Sequence, residues 1–226
     1  MSNEVIFFSI VAVDLAFVYL ASRLGIFVLA STIPINLLIT NFISGKLISV
    51  FELTTTIGNA TFIGIYFATD ILTELKRKEL AKTSVNAGLL ALLLLYIVGI
   101  LVGIAQSVPN SESVSKALDV AFSSSNRIVI ASAVAYFISS NVNLYLYSEL
   151  RSNNRSLVIS NALAAYSAYL VDQVVFVGIA FLGSQSMSVF LELLLTGIVI
   201  KTFCASLEAA TFWRVFSVKT LLRIKE

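Results

Sequence analysis

The feature that most constrains this chain is a set of uncharged apolar runs too long to be buried helices of a soluble domain. Residues 83–111 carry no charged side chain, and neither do residues 24–45. About 20 consecutive apolar residues suffice to cross the hydrocarbon core of a bilayer. The whole chain is 58% hydrophobic and 12% charged, where soluble domains run near 45–50% apolar and about 25% charged. The expected fold is therefore all-α, a polytopic helical membrane protein built as one domain over 1–226.

Breaks in the apolar runs place about seven spans, at 4–22, 25–45, 57–75, 83–106, 127–149, 157–182 and 188–213. The first is too long for the apolar region of a signal peptide, has Glu4 where a basic flank would stand, and contains Asp14. It reads as a retained span. Basic residues then orient the set. Arg23, Lys76, Arg77, Lys78, Lys82, Arg151, Arg155, Arg214, Lys219, Arg223 and Lys225 all fall on one side, whereas Lys46, Lys116 and Arg127 fall on the other. The positive-inside rule puts the N-terminus outside and the C-terminus in the cytoplasm. The longest outside connection, 107–126, has room for a short surface helix. A weak repeat links TELK and Asn86-Ala87 to SELR and Asn161-Ala162, and chance similarity explains it equally well.

Several function classes are excluded. With no histidine and one cysteine, His-ligated metals, His-based acid–base catalysis and an internal disulfide are absent. The net charge of +2 is too small to suggest nucleic acid. No metal, cofactor or catalytic site is expected, and the chain does not read as an enzyme. The expected partners are the lipid bilayer and a small molecule. Gly99 and Gly103 form a GxxxG, and Ala131, Ala135 and Ser139 a row of small residues. Both suit packing within the chain and leave a homodimer open.

Ionisable groups inside spans are costly, about 2.5–3.5 kcal/mol at the helix centre on insertion scales, and mark functional positions. Asp14, Asp70, Asp172, Lys201 and Glu208 are such groups, with a packing role as open for Asp14 as a site role. Asp70 sits in YFATDILTELKRKE, near enough to the basic cluster that it could instead reach for the interface with Glu74. Asp172 and Lys201 lie at similar depth on neighbouring antiparallel spans, which suggests a pair. Glu208 follows Lys201 on the same helical face, about 10 Å further in. Asn41, Ser132, Ser139, Ser140, Asn143, Tyr169 and Gln173 add hydrogen-bonding side chains on spans 2, 5 and 6. Pro34 with Asn36 and Asn41 suggests a kink lined by amides. Together these describe a polar cavity inside the bundle.

The segments NFISGKLISVFELTTTIGN, YFATDILTELKRKELAKTSVNAG, NRIVIASAVAYFIS, VDQVVFVGIAF and IKTF, in this order and spacing, resemble the queuosine precursor transporter family, also described as vitamin uptake transporters. The resemblance covers nearly the whole chain. It implies a multi-pass protein of the cell membrane that imports 7-deazaguanines used in tRNA modification: queuine and its cyano- or aminomethyl-substituted precursors. It places Asn41, Lys46, Asp70, Glu74, Arg127, Asp172 and Lys201 on the family's polar positions. A deazaguanine offers a ring N–H beside an exocyclic NH2, a fork that one carboxylate can accept, and Tyr169 could stack on its rings. Relatives often differ at Ala168-Tyr169, Ser140, Asn143 and Glu208-Ala209-Ala210, which bears on which compound is taken. With no Walker A motif in the chain, the other reading is a substrate-binding subunit of a larger vitamin or nucleobase importer.

Overall fold

The computed structural model describes residues 2–122 and 126–217, with the side chains of 109, 126 and 214–217 left aside. The basic residues Lys219, Arg223 and Lys225 used above for orientation lie outside the described residues. Six helices are long and apolar enough to cross a membrane: α1 (Asn3–Leu24), α2 (Ile26–Ile43), α4 (Lys78–Ile104), α6 (Asn126–Ser152), α7 (Leu157–Phe181) and α8 (Met187–Ser217). This is a polytopic helical membrane protein.

The expected span over 57–75 takes a different form. After α2 comes an antiparallel hairpin, β1 (Leu47–Val50) and β2 (Leu53–Thr56). A 3-10 turn at Ile57–Ala60 follows, and then α3 (Ile63–Glu74), only 12 residues long. At 1.5 Å per residue α3 is about 18 Å long, short of a hydrocarbon core near 30 Å. It needs no lipid-facing length, because Ile63 through Leu72 are all buried among α1, α2, α4, α6 and α8.

Contacts fix its direction. The Thr40 and Thr61 hydroxyls lie 2.8 Å apart, while Gly64 sits against Asn36, so α3 runs back alongside α2. Helix α4 then runs parallel to α2, with Gly88 beside Leu37 and Leu95 beside Phe42 and Ile43. Asp14 of α1 secures the start of α3. Its carboxylate accepts from the Gly64 N–H and the Asn36 amide, each at 2.8 Å, which places a negative group at a helix N-terminus. Any side chain at position 64 would collide with both Asp14 and Asn36. The Asn41 amide turns back onto the Leu37 carbonyl of its own helix. The two amides near Pro34 therefore serve packing, and the helix continues through the proline.

The hairpin turn is unusual. Phe51 and Glu52 have φ of 50° and 63°, a left-handed pair that two-residue hairpins normally assign to Asn-Gly or Gly-Gly. Contacts with α1 hold it there: Phe51 N–H donates to Glu4, and the Asn3 amide to the Ser49 carbonyl.

The connection between α4 and α6 contains α5 (Glu112–Phe122), none of whose residues is buried. Phe122 packs on Gly99 of α4, so one glycine of the GxxxG is covered by the chain's own helix. The small-residue row Ala131, Ala135 and Ser139 is buried, and Ser139 contacts α7 through Asp172.

Candidate functional site

The middle of the bundle contains two buried polar clusters joined by aromatic rings. Nearest the short helix lies Asp70. Ten consecutive buried residues surround it on α3, so it cannot reach the interface. The Asn143 amide of α6 donates to Asp70 Oδ1 at 2.6 Å, and the Asn161 amide of α7 donates to Oδ2 at 2.7 Å. The same Asn161 amide reaches Glu208 Oε1 of α8 at 3.3 Å, and the Tyr169 hydroxyl reaches Oε2 at 3.3 Å. Asp70, Asn143, Asn161 and Glu208 are all fully buried. Among the described residues the Oδ1 atoms of Asn143 and Asn161 have no hydrogen-bond partner. Four helices thus bring together two carboxylates and two amide oxygens with acceptor capacity to spare.

The second cluster is the pair expected from depth. Lys201 of α8 donates to Asp172 Oδ2 of α7, and Ser139 of α6 donates to Oδ1 at 3.3 Å. The Lys201 ammonium also lies over the Phe62 ring, 5.3 Å from its centroid, a cation–π distance. Between the clusters stands an aromatic wall. Tyr66 and Tyr169 meet edge to face at 4.8 Å, and Phe62 joins them at 5.3 and 6.3 Å.

Glu74 belongs to a third, more peripheral group. Arg151 of α6 grips both of its carboxylate oxygens at 2.7 and 2.8 Å, and the Tyr147 hydroxyl donates at 2.9 Å. The fork satisfies Glu74 across α3 and α6, in place of the lysines that follow it in sequence.

Three expected site residues stand apart. Lys46 is exposed just past α2. Asn41 is committed to its own helix. Arg127 is exposed and donates to the Ile179 and Leu182 carbonyls, where a cation suits the C-terminal end of α7. None of them touches the central clusters. Conversely, Asn161, Tyr66 and Phe62 stand in or between the central clusters and were not among the expected site residues, and Tyr147 and Arg151 hold Glu74 beside them. The proposed repeat pointed at Asn161 for the wrong reason, since its counterpart Asn86 is exposed on α4.

Residues 56–215 match the family model described as "Putative vitamin uptake transporter". The chain belongs to this family. A curated relative from Bacillus subtilis (strain 168), described as "Probable queuosine precursor transporter", is 31% identical over 210 residues, which is 89% of this chain and 88% of the relative. No solved structure matches the chain. The family match begins at the end of β2 and takes in α3, α6, α7 and most of α8, the four helices that supply the carboxylates and amides of the inner cluster.

Proposed function

We propose that this family member imports 7-deazaguanine precursors of queuosine across the cell membrane, with the base held between Asp70 and the Phe62–Tyr66–Tyr169 wall. One observation carries the reading. Asp70 is a fully buried carboxylate gripped from both sides by amides whose own oxygens are unmatched. A guanine-type edge, with its N–H beside an NH2, supplies the donors that such an array of acceptors requires. The description of the Bacillus subtilis relative, a probable queuosine precursor transporter, supports this class of substrate. The aromatic wall offers edge and face contacts to a flat bicyclic ring.

Transport requires that the site open to each side in turn. The base would enter from the face bearing the hairpin and leave from the face bearing Arg23, Lys76–Lys78 and Arg151, with the N-terminus outside. The short helix α3 suits such a role, because both of its ends join irregular backbone.

The decisive measurement is uptake of labelled 7-deazaguanines into liposomes containing only this purified protein. Saturable uptake, blocked by excess unlabelled deazaguanine and not by adenine, is the expected result. No uptake by the purified protein would overturn the reading and favour a subunit that needs a partner. Orientation is tested in a Cys204→Ser background by labelling single cysteines from outside. Ser113→Cys should label and Ser152→Cys should not.

A further inference from the structure

The two carboxylates of the inner cluster differ in how well they are satisfied, and the difference points to the charge of the substrate. Asp70 receives short hydrogen bonds on both oxygens, 2.6 and 2.7 Å. Among the described residues Glu208 receives two hydrogen bonds, both at 3.3 Å, well beyond the 2.7–2.9 Å typical of a donor on a carboxylate. The two acids are bridged by the single NH2 group of Asn161. The basic groups of the neighbourhood are already engaged elsewhere, Lys201 by Asp172 and Arg151 by Glu74. Among the described residues no cation contacts either Asp70 or Glu208. Two carboxylates this close in a dry interior can both be charged only with a positive charge between or beside them. The unpartnered oxygen of the fully buried Asn161, whose NH2 joins the two acids, adds a further acceptor at the same place.

We infer that Glu208 is the seat for an ammonium group on the substrate, so that the protein selects amine-bearing 7-deazaguanines over the neutral cyano-substituted base. The inference rests on the proposed deazaguanine site. Asp70 takes the N–H and NH2 edge common to all members of the class. Glu208, with Tyr169 and the Asn161 oxygen, takes the amine that distinguishes the aminomethyl compound and queuine from the nitrile. A nitrile places a neutral acceptor against Glu208 and finds no donor there beyond the Tyr169 hydroxyl and the shared Asn161 amide.

The test compares half-saturating concentrations of 7-aminomethyl-7-deazaguanine and 7-cyano-7-deazaguanine for uptake into liposomes bearing the full chain. The amine should be preferred by at least about tenfold, the worth of one charge-assisted hydrogen bond. In Glu208→Gln that ratio should fall towards unity, and Glu208→Asp should recover part of it. Thermal unfolding of each detergent-solubilised variant establishes that it is folded, and if Glu208→Gln does not fold, the ratio in the wild type and in Glu208→Asp decides. Equal uptake of both compounds, or preference for the nitrile, overturns the inference and leaves the deazaguanine site standing. A tenfold preference unchanged in Glu208→Gln overturns the assignment to Glu208. If neither compound is taken up, the proposed function falls and this inference with it.

Discussion

Lys201 and Glu208 stand about two turns apart on α8, both buried, yet their settings are opposite. Lys201 is answered: Asp172 takes its charge, Ser139 supports Asp172, and Phe62 covers the ammonium. Glu208 has two long contacts and a second acid for a neighbour. A matched pair fixes helices in place whether or not a ligand is present. An unmatched acid cluster is incomplete alone, and a bound donor completes it. Under the proposed function one helix bears both a structural anchor and a receptor, and the distinction lies in the partners supplied by α3, α6 and α7.

Substitutions at four places would break or sharpen this contrast. The largest effect is expected at Asp70, the centre of the incomplete cluster. Asp70→Asn removes the charge that receives the substrate's donors, so uptake should fall by about a hundredfold or more while the yield of folded protein holds. Normal uptake in that variant would show that the acid is structural.

At the matched pair the expected loss is one of stability. Lys201→Met leaves Asp172 alone in a dry interior at a cost of about 3–5 kcal/mol. Adding Asp172→Asn should restore much of the melting temperature, since no orphan charge remains. A double variant no more stable than the single would mean that the two groups act independently.

A smaller effect is expected at Glu74. Its partner Arg151 is about a third exposed, so Glu74→Gln should cost only about 1 kcal/mol, seen as a modest drop in melting temperature with uptake retained. The smallest belongs to Lys46→Ala, within about 0.5 kcal/mol of wild type and with unchanged uptake, because that ammonium is exposed and remote from both clusters. A large uptake defect there would pull the site outward, towards the hairpin.

The charges were the most legible part of the sequence. In a chain this apolar, each ionisable residue within a run marks a position that must be answered, and depth alone matched Asp172 with Lys201. Asn161 escaped notice because a neutral amide barely perturbs an apolar run, and its importance comes from α3 and α8, which sequence distance hides. Lys46 and Arg127 were placed by the resemblance alone, and they stand apart from both clusters: one is exposed and the other binds the carbonyls closing α7. The short helix was hidden as well. The uncharged stretch IGNATFIGIYFAT has the hydropathy of a span, and hydropathy does not distinguish a long helix at the lipid from a short one enclosed by five others.

The turn at Phe51-Glu52 has a practical consequence for anyone preparing this protein. Two non-glycine residues in left-handed geometry cost about 1–3 kcal/mol each, and among the contacts that hold them are Glu4 and Asn3 at the first turn of α1. A bulky affinity tag joined directly ahead of Ser2 would crowd that clasp and let the hairpin relax, so that a loss of transport could be mistaken for a loss of folding. The safer handle is a flexible one, spaced well away from the first helix.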